Sequence, residues 1–168
     1  AMASTTKIMT AIVAIERCNM DEIVDVSAAA ANQEGSAAYI SEGNQYHMKD
    51  LLYGLMLNSG NDAAVAIAEH VAGSEESFAE LMNEKARSLG CTSSNFANPS
   101  GLNDENHYTS AYDMALISQA AFSNPTFVEI DSTTYYDVPA GKLKQYPDGW
   151  RYYAHHRMLK KNDSLYYD

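Results

Sequence analysis

Cysteine is scarce in this chain. Cys18 and Cys91 are the only two in 168 residues, too few and too far apart in sequence for a disulfide scaffold or a zinc cluster, so both read as unpaired core thiols. Basic residues are also short. Eleven Lys and Arg stand against 22 Asp and Glu, and the formal charge of -11 repels a nucleic acid or an anionic membrane surface. The basic stretch from Arg157 to Lys161 reads as solvated surface. No run of 18 apolar residues occurs, and the N-terminus has neither the basic start nor the apolar stretch of a signal peptide, so nothing reads as spanning or targeting a membrane. Repeats, low-complexity tracts and interdomain linkers are lacking as well.

What is present is an ordinary globular balance. Apolar residues make up 46% and charged residues 20%, in a length that suits one domain with one core. Ser4 to Arg17 carries Ile8, Met9, Ile12, Val13 and Ile15 without Gly or Pro, and these nearly encircle a helix axis, which predicts a buried central helix. Asp21 to Val26 is strand-like, and Ser27 to Asn32 suits one or two helical turns. Lys49 to Leu57 and Asp62 to Val71 predict two helices meeting at the polar junction Asn58-Ser59-Gly60-Asn61. Ser74 to Leu89 predicts a helix with Ser74 as cap, Glu75 and Glu76 in its first turn and Gly90 as its stop. Asn95 to Asn106 reads as loop, and Ser110 with Asp113 reads as a capping box opening a helix to about Phe122. Val128 to Tyr136 is rich in β-branched and aromatic residues and predicts strand, with turns over Pro139 to Gly149 and a return to helix over Tyr152 to Leu159. The expected architecture is mainly α, with five or six helices and few strands.

One pair of residues carries chemistry. A serine hydroxyl becomes a useful nucleophile only beside a base, and in Ser4-Thr5-Thr6-Lys7 the i, i+3 spacing puts serine and lysine on one helical face. Burial lowers the pKa of an ammonium toward that of a working base, and a helix N-terminus favours negative charge where Ser4 sits. Ser-x-x-Lys is a common pattern, and by itself it also fits a helix cap with a snorkelling lysine. A second polar element, Ser59-Gly60-Asn61, adds a hydroxyl suited to relaying a proton and an amide suited to binding a peptide carbonyl. Ser93-Ser94-Asn95 repeats the Ser-x-Asn pattern, but in a polar loop after a helix stop, and reads as turn chemistry.

The stretches AMASTTKIMTAIVAIE, DLLYGLMLNSGNDAAVAIAEHVAGS, FAELMNEKARSLG, FANPSGL and HYTSAYDMALIS, in this order, resemble the low-molecular-mass penicillin-binding proteins that act as serine-type D-alanyl-D-alanine carboxypeptidases. The resemblance runs nearly end to end. It implies that Ser4 is the acylated nucleophile, Lys7 its general base, and Ser59 and Asn61 the second motif, with Ser59 catalytic and Asn61 binding substrate. It further implies cleavage of the terminal D-alanine from peptidoglycan stem peptides through an acyl-enzyme that β-lactam antibiotics trap. No cofactor or metal is implied. Serine β-lactamases of class A share the first motif but typically carry Ser-Asp-Asn at the second, so Gly60 favours the carboxypeptidase branch.

The family's third motif, Lys-Thr-Gly or Lys-Ser-Gly on a strand, does not occur in these residues. The expectation is therefore that residues 1–168 form one partial domain, truncated at both ends. Such a domain keeps the helical part of the α+β penicillin-binding protein and β-lactamase-like fold and loses most of its antiparallel sheet. The helix at Ser4 is then expected to lack a covering layer, giving self-association through an exposed helical face and inactivity of this segment by itself. An extracytoplasmic location in a bacterial cell envelope follows from the resemblance. Two alternatives are a non-catalytic helical binding or assembly module and a serine β-lactamase relative.

Other polar features read blandly. His47, His70, His107 and the pair His155-His156 offer no i, i+4 pair with a carboxylate base and read as surface or loop histidines. Asp113 reads as a cap partner. The tyrosine pairs 135-136, 152-153 and 166-167 read as strand residues with alternate side chains buried, and Asn162-Asp163-Ser164 as an unused sequon.

Overall fold

The structure is a computed structural model, and it describes residues 2–143 and 145–155. The basic stretch 157–161, His156, the sequon at 162–164, the tyrosine pair 166-167 and the expected helix beyond residue 155 lie outside the described residues.

A 3-10 turn, Ala3–Thr5, leads directly into α1 (Thr6–Arg17). There follow β1 (Ile23–Asp25), α2 (Ala28–Ala31), β2 (Gln45–His47), α3 (Met48–Leu57), α4 (Asn61–Ala72), α5 (Glu75–Ser88), α6 (Ala111–Phe122), α7 (Pro125–Asp131), β3 (Tyr135–Val138) and β4 (Trp150–Tyr153). The two small sheets are antiparallel strand pairs, β1 with β2 in the register Val24↔Tyr46, and β3 with β4 in the register Tyr136↔Tyr152. The chain is thus mainly helical, as its periodicity predicts.

α1 is central. From Met9 to Ala14 every residue is buried, and the helix packs against α3, α4, α5, α6 and α7. The expectation that α1 lacks a covering layer is corrected by this enclosure: five helices surround it. Leu51, Leu52 and Leu55 of α3, Phe78 and Met82 of α5, and Phe127 and Ile130 of α7 complete the core. Each such side chain contributes about 1.5–3 kcal/mol through burial. In α4 the run Ala63 to Ala68 is wholly buried, and its small side chains let neighbouring helices approach closely. Exposed apolar side chains lie elsewhere, on Tyr112 and Phe122 of α6 and Tyr153 of β4.

Caps explain where helices start. The Ser74 hydroxyl accepts from Ser77 N at 3.1 Å, and the last turn of α5 carries Lys85 and Arg87 before Gly90 at φ 83°. Two expectations fail in the aromatic tail. Residues 128–131, read as strand, belong to α7, because the Asn124 side chain accepts from Thr126 N and Phe127 N and Pro125 occupies the first helical position. Phe127 and Ile130, three apart, then turn to the core. Tyr152 and Tyr153, read as entering a helix, lie in β4 instead, where they alternate as strand residues do: Tyr152 is 2% exposed and Tyr153 56%. The Tyr152 hydroxyl donates to Ala38 O at 2.5 Å, which ties this strand pair to the loop beside the site described next.

Candidate active site

Ser4 sits in the 3-10 turn, one residue before the N-cap of α1, and Lys7 lies in the first turn of that helix. Ser59 and Asn61 flank Gly60 at the junction of α3 and α4, so all four residues singled out by sequence come together. Ser59 Oγ donates to Ser4 Oγ at 2.8 Å, and Lys7 Nζ lies 3.5 Å from Ser4 Oγ. Lys7 Nζ also donates to Asn61 Oδ1 at 2.8 Å and to the carbonyl of Ser100 at 2.7 Å.

These partners define what Lys7 can do. The Ser100 carbonyl only accepts, and so does Asn61 Oδ1, whose orientation is set because Asn61 Nδ2 donates to Glu34 O at 2.6 Å. A neutral amine has two N–H bonds, which these two acceptors occupy, and its lone pair is left facing Ser4. Lys7 is 3% exposed, and burial pulls its pKa down to about 8, opposed by the carboxylate of Asp62. With Ser59 donating to Ser4 Oγ, the Ser4 proton is free to point at Lys7.

The junction is held from the loop before β2. Asp62 is buried and accepts from Ala38 N at 2.8 Å, Ile40 N at 3.1 Å and Ala63 N at 2.8 Å. Burial pushes its carboxyl above the usual range, and those backbone donors pull it back. Asn61 N donates to Ser36 O at 2.7 Å and Asn58 Nδ2 to Ala37 O at 3.0 Å. Gly60 has an ordinary φ of -63°, yet a Cβ there would come within 2.8 Å of Ala38 N and 2.7 Å of Asp62 Oδ1. Glycine is needed for close approach, and a larger residue at the middle of Ser-x-Asn does not fit this loop. Ser59 itself takes φ 54°, a left-handed conformation costly for serine that aims its hydroxyl at Ser4.

A third segment, the loop carrying the FANPSGL stretch of the resemblance, adds a main-chain group to the cluster. Thr10 Oγ1 donates to Pro99 O at 2.7 Å, so the Asn98-Pro99-Ser100-Gly101 turn lies along α1 and delivers the Ser100 carbonyl to Lys7. Gly101 has φ 85°, and a Cβ there would fall 2.0 Å from Ala3 O. His107, read as a surface or loop histidine, is buried. Ala97 N donates to its Nδ1 at 3.0 Å, so the ring proton is on Nε2 and is given to Thr6 Oγ1 at 2.7 Å. Burial holds the His107 pKa below its usual value, consistent with a neutral ring.

The second Ser-x-Asn copy is separate from this cluster. Ser93 N and Ser94 Oγ donate to Asp113 Oδ2 at 2.8 and 2.6 Å, and Asn95 pairs with Tyr108. Ser110 Oγ caps Asp113 N at 3.1 Å, while the Asp113 carboxylate anchors this turn, and Ser94 chiefly holds its pKa down. Asp113 is therefore more than a cap partner.

Known proteins resemble this chain along most of its length. Residues 1–163 match the peptidase family described as D-alanyl-D-alanine carboxypeptidase. The chain is 40% identical over 138 residues to the D-alanyl-D-alanine carboxypeptidase DacF of Bacillus subtilis, covering 79% of this chain and 36% of the relative. It is 36% identical to DacB2 of Mycobacterium tuberculosis, covering 76% of this chain and 44% of that one. Among solved structures, a D-alanyl-D-alanine carboxypeptidase of Mycobacterium tuberculosis superposes with a TM-score of 0.86 at 30% identity, covering 95% of this chain and 59% of that one. Penicillin-binding protein 6B of Escherichia coli gives a TM-score of 0.83 at 30% identity over 95% of this chain and 51% of that one. The chain spans less than half the length of these two curated relatives. With the serine, the lysine and the Ser-Gly-Asn junction assembled on one helical scaffold, this chain belongs to the D-alanyl-D-alanine carboxypeptidase family of peptidases.

Proposed function

We propose that the protein hydrolyses the terminal D-Ala-D-Ala bond of peptidoglycan stem peptides through an acyl-enzyme on Ser4. The observation that carries the reading is Lys7 Nζ, buried, with two N–H bonds committed to Asn61 and Ser100 and its third direction facing Ser4. Neutral Lys7 takes the Ser4 proton as Ser4 Oγ attacks the carbonyl carbon of the penultimate D-alanine. The C–N bond to the terminal D-alanine breaks, its nitrogen takes a proton from Ser59, and Lys7 returns a proton to Ser59. Water then hydrolyses the ester with Lys7 again as base. Asn61 binds the substrate amide. A β-lactam enters by the same attack, but its leaving nitrogen stays tethered and the ester persists.

The residues described here supply the helical part of one domain in this reading, and the place of action is extracytoplasmic in a bacterial cell envelope. The test of function is D-alanine release from an N-acylated D-Ala-D-Ala peptide by the full chain as expressed from its gene. Release that disappears in Ser4→Ala and in Lys7→Met is expected. Release that survives Ser4→Ala overturns the assignment, and no release by the wild-type chain favours a non-catalytic helical module.

A further inference from the structure

Away from Ser4, a second cluster of reactive side chains lies at the other end of the same two helices. We propose that Cys18, Glu22 and His70 form a site for a zinc-type divalent cation that clips the C-terminal ends of α1 and α4 together. Cys18 Sγ, a Glu22 carboxylate oxygen and a His70 ring nitrogen all lie within 4.8 Å of one another. Ligand atoms at zinc distances around one tetrahedral ion stand roughly 3.3–3.7 Å apart, so a small side-chain rotation brings these three onto one ion, with one position open to water.

The three ligands come from three places and are partly held in advance. Cys18 is the C-cap of α1, His70 lies in the last turn of α4, and Glu22 follows the turn between α1 and β1. Glu22 Oε1 accepts from Asn19 N at 2.7 Å, which leaves Oε2 toward His70 Nε2 at 3.1 Å. An outer hydrogen bond of this kind orients a ligating carboxylate. Two helix C-termini converge here, and each presents unsatisfied carbonyls whose partial negative charge favours a cation. Arg17, next to Cys18, is turned toward Glu84 at 3.8 Å, and Lys49, whose backbone N donates to Met20 O in the same turn, is turned toward Asp21 at 3.3 Å.

The donor set selects the ion. One sulfur, one imidazole nitrogen and one carboxylate oxygen suit zinc, whereas magnesium and calcium call for oxygen alone. Binding replaces the Cys18 thiol proton with the metal, so one proton goes to solvent for each ion taken up, with no change of oxidation state. His70 binds through the neutral Nε2 lone pair.

The position gives the site a consequence for the fold. Lys7 near the start of α1 touches Asn61 at the start of α4, and Cys18 and His70 meet at the far ends, so the two helices run side by side in the same direction. Each has 12 residues, about 18 Å of helix. A cation at the far end fastens the pair whose near ends carry Lys7 and Asn61. The inference stands independently of the proposed reaction.

The test is zinc titration into the metal-free full chain with a phosphine reductant present, read by competition with a zinc-binding dye, and repeated with cobalt(II) read by absorption. Expected is one zinc per chain, a thiolate-to-cobalt charge-transfer band in the near ultraviolet, and a rise in thermal midpoint with zinc. Cys18→Ser should lose the band, and both Cys18→Ser and His70→Ala should weaken zinc by more than roughly tenfold, the lower end of what loss of an outer-shell partner costs. Both residues are at least partly exposed, so the variants should keep the fold, which circular dichroism checks. No stoichiometric zinc, no thiolate band, or unchanged affinity in Cys18→Ser overturns the site.

Discussion

Lys7 Nζ and Asn61 Oδ1 are 2.8 Å apart across the starts of two helices, and this contact joins the two polar motifs that sequence shows 54 residues apart. It makes Asn61 a fixed acceptor for Lys7, with the amide held in that orientation by the bond from Asn61 Nδ2 to Glu34 O.

The pH dependence of acylation should follow Lys7. Its pKa is lowered to about 8, so the ammonium dominates below that pH and cannot take the Ser4 proton. The acylation rate constant should rise about tenfold per pH unit below 8 and level off above it. Asp62 opposes the lowering, so Asp62→Asn should move the midpoint to lower pH. A stopped-flow profile with a chromogenic β-lactam measures both, and a midpoint that moves up contradicts this electrostatic account.

Asp62→Ala should cost more than its effect on Lys7. It leaves the buried N–H groups of Ala38 and Ile40 without their carboxylate partner, at about 1–3 kcal/mol for each unsatisfied group. Urea unfolding should show the loss, and a variant as stable as wild type contradicts the anchoring role.

Gly101→Ala should disturb the nucleophile without touching it. The residue needs φ 85° and the new Cβ would meet Ala3 O at 2.0 Å, so the turn carrying Ser4 must shift. Strain of ~1–3 kcal/mol is expected. Thermal unfolding and the acylation rate should both fall. Gly90→Ala shares the positive φ of 83° but would meet nothing within 4 Å, so it should lower stability while sparing acylation.

His107 should give the fold an acid-sensitive contact. Its pKa in the folded chain lies below the ordinary histidine value of about 6.5, so as pH falls the unfolded chain binds this proton first. The stability it supports is complete above about 6.5 and is lost as pH drops through the lower folded value. Protonation also puts a hydrogen on Nδ1, against Ala97 N–H. In His107→Gln, whose amide can accept and donate in the same places, the slope of stability with pH in this window should flatten. An unchanged slope assigns it to other groups.

The helices were legible wherever period and cap agreed. Ser74, Glu75, Glu76 and Gly90 marked both ends of α5, and the apolar wrap of α1 announced its central place. α7 was not legible because Val128, Ile130 and the nearby tyrosines favour strand by composition, while the deciding signal was local, Asn124 capping a helix that Pro125 begins. Ser4, Lys7, Ser59 and Asn61 were visible as side-chain chemistry. Their supports were not, because the Ser100 carbonyl and the Ser36 to Ile40 backbone act through main-chain groups that any sequence possesses. The Asn98-Pro99-Ser100-Gly101 turn held a usable hint, since a glycine at a left-handed position implies close backbone approach. Cys18 and His70 could not be linked in sequence because α4 brings them together only at its far end.

The central claim is that Ser4 is a nucleophile activated by Lys7. Intact-mass measurement of the full chain after incubation with a labelled penicillin, followed by peptide mapping, tests it most directly. The account predicts one adduct per chain on Ser4, absent in Ser4→Ala and formed far more slowly in Lys7→Arg, whose guanidinium does not release a proton near neutral pH. An adduct on another residue, or one that forms at an undiminished rate in Lys7→Arg, would contradict it.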